Sequence, residues 1–252
     1  MKSKFKHLVV SGCSFTTNEH VPDGSDWNWA NILAQDTGMT IHNLATAAAG
    51  NDHISKSIIL YLEKNKLDIS DTLVLAMWSG VGRIDWIVDC ALANNIESSN
   101  FEYYYDDYNK LHRGGNWWNV TSKNLLSNAL INYSKFQDNH SFALHTWLAM
   151  QNLSNYLTVN NFTYFFTSFI NYNTLVKGDA LVVPFFDVLQ QLKLSIDNSH
   201  WLNLKNNEYF GDWCRENNLI AQDNFHPGLD GPQRWPREIL MPLLKDMGIL
   251  YE

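Results

Sequence analysis

The chain predicts an α/β fold in which a parallel sheet is sandwiched between helices. Three observations carry that prediction. Strand-like and helix-like segments alternate along the chain, the pattern of βαβ units. Thr72 to Trp78 is a near-continuous apolar run, as expected of a central strand covered on both faces. Finally, Ser14, Gly50 and Ser79 all follow strand-like segments, so they share the carboxyl edge of the sheet, where α/β folds place their sites.

Taken in order, Phe5 to Ser11 is β-branched and apolar and breaks at Gly12, which reads as a buried strand. Trp27 to Thr37 follows as a helix, with Trp29, Ile32 and Leu33 at near-helical spacing and Gly38 as its stop. Thr40 to Leu44 is the second strand. It runs into the small-residue loop Ala45 to Gly50, after which Ile54, Ile58, Ile59 and Leu62 mark a helix from Asp52 to Lys66, capped by Asn51 or Asp52. After the third strand the pattern breaks down between Ser79 and about Thr121, a stretch rich in aromatic and acidic residues that predicts a partly helical insertion or a lid. Ser141 to Asn160 reads as a long helix and Phe162 to Phe169 as the fourth strand. Helical stretches follow at Phe185 to Leu194 and Asn206 to Asn218, and Trp235 to Met247 forms a last amphipathic helix.

Composition limits the function. The 252 residues suffice for one sizeable domain, and no Pro/Ser/Gly-rich linker divides them. With 45% hydrophobic and 17% charged residues the chain belongs to the packed globular class. A formal charge of −8 argues against a nucleic-acid partner, because phosphate binding draws on clustered Lys and Arg. No segment has the roughly 20 apolar residues of a membrane span, and the basic start Met1 to Lys6 lacks a secretory apolar stretch, so a cytoplasmic location is expected. Three widely spaced cysteines, Cys13, Cys90 and Cys214, suggest neither a disulfide framework nor a metal motif. Oligomeric state is not legible.

The chemistry concentrates in two segments near opposite ends. Val9-Val10-Ser11-Gly12-Cys13-Ser14-Phe15 places a serine where a strand runs out into a loop, and Asp223-Asn224-Phe225-His226-Pro227-Gly228 places a carboxylate and an imidazole three residues apart on a turn. A serine hydroxyl becomes a useful nucleophile when a base takes its proton, and a carboxylate that fixes the base's tautomer completes the set. Other candidates have plainer readings. His140 and His145 lie five apart, off the spacing of a helical zinc pair. Asp52-His53 is explained by helix capping, and Asp106-Asp107 by a solvated loop. Arg83 either anchors a substrate carboxylate or pairs with an internal acid such as Asp85.

Gly-x-Ser-Phe after the first strand, Asn-Leu with a small-residue loop and Gly-Asn after the second, and Asp-x-x-His-Pro before the last helix together resemble the SGNH (GDSL-like) hydrolase superfamily, in its order and across Leu8 to Leu244. The resemblance implies a three-layer, flavodoxin-like α/β/α sandwich with about five parallel strands, and esterase, lipase, acetylhydrolase or acyltransferase chemistry without metal or organic cofactor. It assigns Ser14 as nucleophile, His226 as general base and Asp223 as its orienting carboxylate. The N–H groups of Gly50 and Ser14 would form the oxyanion hole. Cys13 stands where the family more often has aspartate, as a buried small residue or a second reactive group. The family's Gly-x-Asn-Asp block is replaced by Ser79-Gly80-Val81-Gly82, so a further oxyanion donor would be the Ser79 hydroxyl, the Asn51 amide or a backbone N–H. The expected substrate is a small-molecule or carbohydrate ester, preferably an acetylated carbohydrate, with Trp117, Trp118 and Arg83 near it. The alternatives are a sugar O-acyltransferase and an inactive binding protein on the same fold.

Overall fold

Four strands of the computed structural model form a parallel sheet in the order β3-β2-β4-β7, with β2 at His7–Ser11, β3 at Thr40–Asn43, β4 at Thr72–Trp78 and β7 at Thr163–Ser168. The structure describes residues 1–17, 28–47, 49–80, 83–89, 115–121, 139–169, 198–205, 207–221 and 226–252, with the backbone alone at 83–89, 115–121, 139–143 and 198. Every residue of β4 is buried, as its unbroken apolar run requires of a strand covered on both faces. Beyond β7 the described residues add one parallel bridge, Phe166 to Trp201, at the position of a fifth strand. The ladder stops there because Leu204 N–H turns back onto Leu202 O at 2.8 Å. Counting that bridge, the order is the flavodoxin-like 2-1-3-4-5.

Helices cover both faces. On one side lie α2 (Asn51–Asn65) and α3 (Asn139–Val159), joined to the sheet by Ser11 Oγ to Ser57 Oγ at 2.9 Å and by the Tyr164 hydroxyl, 2.9 Å from Ser154 Oγ and 2.8 Å from Thr158 Oγ1. On the other side α1 (Trp29–Thr37) meets the C-terminal helical run through the edge-on pair Trp29 and Trp235, 5.6 Å apart. Asn28 caps α1 by accepting from Asn31 N–H at 2.8 Å, and Gly38 ends it in the left-handed region at φ 76°, where a side chain would be strained.

Several predicted boundaries move. The cap of α2 is Gly50, without a side-chain bond, because the Asn51 amide is turned to a tertiary partner and Asp52 pairs with Lys56 one turn on. The helix predicted at Asn206 to Asn218 is shorter, α4 at Phe210–Glu216. The last helix starts early: α5 at Gly231–Trp235, a π turn at Pro236–Leu240, then α6 at Met241–Asp246. Pro236 has no N–H to give to the preceding turn, and the ladder resumes with Met241 N–H on Pro236 O. Two-residue strands β1 (Lys2–Ser3) and β8 (Leu250–Tyr251) pair antiparallel and tie the ends of the chain together. Within the predicted insertion, β5 (Arg83–Asp89) and β6 (Gly115–Thr121) form an antiparallel hairpin in register Trp86 to Trp118 and Ile87 to Trp117, with β5 running beside α2 and α3. The helix predicted at Phe185 to Leu194 lies outside the described residues. None of the helices among the described residues is long and apolar enough to cross a membrane.

The α2 layer carries an acid sensitivity. His53 is buried, and burial lowers its pKa to about 4. Half-buried His42, hydrogen-bonded to His7 at 3.1 Å and to the Tyr61 hydroxyl at 2.7 Å, is shifted the same way by burial and by His7. A depressed histidine pKa means that the unfolded chain binds the proton more readily. Stability is therefore complete above the unfolded value of about 6.5 and falls as pH drops toward 4, by about 3 kcal/mol for His53 alone. Urea unfolding at pH 7 and pH 4.5 is expected to show that loss in the wild type and a smaller one in His53→Gln. Equal losses would remove His53 from the account.

Candidate active site

The turn that carries Ser14 begins where β2 ends. Gly12 is required there by close approach: a Cβ on it would lie 2.3 Å from Thr16 Oγ1 and 3.3 Å from Met77 O. Thr16 N–H closes a turn onto Cys13 O at 2.8 Å, which puts Ser14 and Phe15 at its centre. Thr16 then anchors the turn. Its hydroxyl donates to Met77 Sδ at 3.4 Å and accepts from Trp29 Nε1–H at 3.3 Å, while its carbonyl accepts from Asn43 Nδ2–H at 2.9 Å. Cys13 is fully buried, whereas Ser14 keeps 9% of its surface exposed.

The turn bearing His226 is pinned on both sides of the segment 222–225. Ala221 N–H donates to His226 O at 2.8 Å, Gly228 N–H donates to Leu219 O at 2.6 Å, and Ile220 bridges Pro227 antiparallel. This brings His226 Nε2 to 3.0 Å from Ser14 Oγ, across 212 residues of sequence. The imidazole also packs on the Phe15 ring, with centroids 5.4 Å apart, so a neighbour of the serine holds the ring plane. With Nε2 as acceptor, the Ser14 hydroxyl donates along the line a proton transfer would follow. Asp223, the expected orienting carboxylate, lies outside the described residues. The other described thiol, Cys214, is buried, and burial pushes its pKa up to about 12, which leaves it without nucleophilic thiolate at neutral pH.

The second loop runs alongside. Leu44 N–H donates to Val10 O at 2.8 Å and Thr46 N–H to Gly12 O at 3.2 Å, carrying the chain from β3 past the turn that holds Ser14. Asn43 starts this path by accepting from Ala45 N–H at 3.0 Å while donating to Thr16. Gly50 then opens α2, whose N-terminal end carries partial positive charge.

Asn51 does something other than expected. Its Oδ1 accepts from Ser79 N–H at 2.7 Å, and its Nδ2 donates to Ser79 O at 3.3 Å and to Thr146 Oγ1 at 3.0 Å. Both amide hydrogens are committed, so Asn51 does not serve as the additional oxyanion donor. It clamps the exit of β4 to the start of α2 and to α3. The Ser79 backbone N–H is spent in the same clamp. Arg83, Trp117 and Trp118 fall on the β5–β6 hairpin, where only the backbone is described. Sequence reading had given no role to Thr16 or Asn43. Asn43 carried a signal, an amide at a strand end before a small-residue loop; Thr16 carried none, because all three of its anchors are distant in sequence.

No family model matches the chain, and no curated protein sequence does. Solved structures do. The psychrotrophic esterase EstA from Pseudoalteromonas sp., in a structure inhibited by monoethylphosphonate, superposes with a TM-score of 0.52 at 12% identity, over 96% of this chain and 98% of that one. TesA superposes with a TM-score of 0.52 at 11% identity, over 96% and 99%. At such identities the likeness is one of fold: the chain has a three-layer α/β/α fold like that of EstA and TesA.

Proposed function

We propose that the chain is a serine ester hydrolase in which Ser14 is the nucleophile and His226 its base. The observation that carries the reading is the 3.0 Å approach of His226 Nε2 to Ser14 Oγ, held from each side by an independently pinned turn. Its fold likeness to EstA and TesA, the former named as an esterase, supports the same chemistry. As Ser14 Oγ attacks the acyl carbon its proton passes to His226 Nε2. The tetrahedral intermediate then collapses, the alcohol leaves with that proton, and water resolves the acyl-enzyme by the same route in reverse. Asp223 is assigned to the far ring nitrogen, Nδ1. The N–H groups of Ser14 and Gly50 are assigned to the oxyanion, assisted by the positive end of α2, and such a donor is worth about 3 kcal/mol of barrier. The Ser79 hydroxyl stands as a third donor. The carbohydrate preference expected from Trp117 and Trp118 rests on side chains outside the described residues, and the proposal does not depend on it.

The test is acid release from small acetate esters, followed by titration at constant pH. Turnover by the wild type and none above background by Ser14→Ala is the expected result; equal rates for the two would end the assignment.

A further inference from the structure

A pocket opens beside Ser14 and His226, lined on its apolar side by Phe210, Pro227, Leu229 and Pro232. We propose that this pocket receives the alcohol half of the ester, and that the alcohol it fits is a short, uncharged alkyl group. The inference rests on the esterase reading and decides which half of the substrate lies where.

The proton fixes where the alcohol must lie. When the tetrahedral intermediate collapses, the bond between the acyl carbon and the alcohol oxygen breaks, its electron pair goes to that oxygen, and the proton taken from Ser14 is delivered there from His226 Nε2. The departing oxygen must therefore lie within hydrogen-bonding reach of His226. The pocket touches both Ser14 and His226, and its walls continue along the turn that carries His226, through Pro227 to Leu229. Neither Gly50 nor Asn51, which border the loop assigned to the oxyanion, lines it. Space continuous with the proton donor and not bordered by Gly50 is where the alcohol's first carbons go.

Its chemistry follows from its walls. None of the described residues that line it is a Lys, Arg, Asp or Glu, so a phosphorylated or cationic alcohol finds no ion pair among them. Two prolines and a leucine instead offer rigid hydrocarbon. Leu229 is 51% exposed, unusual company for a catalytic turn, and covering it with a substrate alkyl group removes apolar surface from water. The free space is about 30 Å³, the room of about two water molecules. A methyl or ethyl group enters, and a longer chain runs out past Leu229.

Two ester series separate the halves of the substrate. One varies the alcohol of an acetate ester from methanol to ethanol to n-butanol and glycerol; the other varies the acyl chain of ethyl esters from acetyl to butyryl. Leu229→Asp, with its fold checked by circular dichroism, is expected to raise KM for ethyl and butyl acetate about tenfold relative to glyceryl acetate, within the range a lost apolar contact produces. The acyl ranking should remain that of the wild type, and Leu229→Met should restore the alcohol ranking. If Leu229→Asp reorders the acyl series and leaves the alcohol series alone, or changes neither, the inference is overturned while the esterase reading stands. A wild type that cleaves no ester of either series and forms no adduct with a fluorophosphonate overturns the esterase reading, and this inference with it.

Discussion

His226→Ala is expected to lower kcat for ester hydrolysis by at least about 10⁴-fold, with KM and the circular dichroism spectrum close to wild type. The size follows from the role of the base: in a nucleophile-base pair, removal of either member eliminates most of the acceleration that the pair produces together. The serine hydroxyl, 3.0 Å from Nε2 in the wild type, would have only water to accept its proton. Neither described cysteine replaces it, since both are buried and Cys214 is held protonated. The fold should survive, because the turn around residue 226 is pinned by its backbone, through Ala221 N–H and Leu219 O, and not by the imidazole. A loss below tenfold on a correctly folded variant would mean that another group takes the proton.

The second large effect is structural and reaches the site indirectly. Asn51 is 1% exposed and makes three side-chain hydrogen bonds, two to the Ser79 backbone and one to Thr146. Asn51→Ala removes three hydrogen bonds from buried groups at once, and the loss of a buried hydrogen-bond partner costs about 1–3 kcal/mol. A loss of about 3–5 kcal/mol in urea unfolding is expected, allowing for partial relaxation. Because Gly50 immediately precedes the clamp, kcat should fall in the remaining folded protein more than KM rises. Asn51→Asp keeps an acceptor for Ser79 N–H but loses the two donated bonds, and should be similarly destabilised at neutral pH, where its charge would be buried. If Asn51→Ala unfolds with the wild-type midpoint and turns over at the wild-type rate, the clamp has no function.

Much of this was legible in the sequence, for reasons that particular residues make plain. The apolar run at Thr72 to Trp78 reads as a strand covered on both faces, and Gly38 stops α1 where it was expected to, while the cap at Asn28 was not read because the helix was expected to begin at Trp27. Ser14 and His226 were recognisable because each follows a break in regular structure and the pair resembles a known order of motifs. What escaped depends on distant partners. Asn51 has the side chain of a helix cap, yet its amide meets Ser79, 28 residues away, and Gly50 takes the cap. The pairing of Lys2–Ser3 with Leu250–Tyr251 is too short to leave a periodic signature. The early start of the last helix was hidden by Pro232, a helix-breaking residue that stands in a first turn where it is tolerated.

The account's central claim, a serine activated by a histidine from the far end of the chain, is tested most directly by reaction with a fluorophosphonate followed by intact and peptide mass spectrometry. An activated serine attacks phosphorus and expels fluoride, leaving a stable phosphonyl ester on its oxygen. The account predicts one adduct per chain, on the peptide containing Ser14, absent in Ser14→Ala and slowed at least about 10³-fold in His226→Ala, as befits loss of the base. An adduct on another residue, one formed as fast without His226, or none under conditions that label a serine esterase run in parallel, would contradict it.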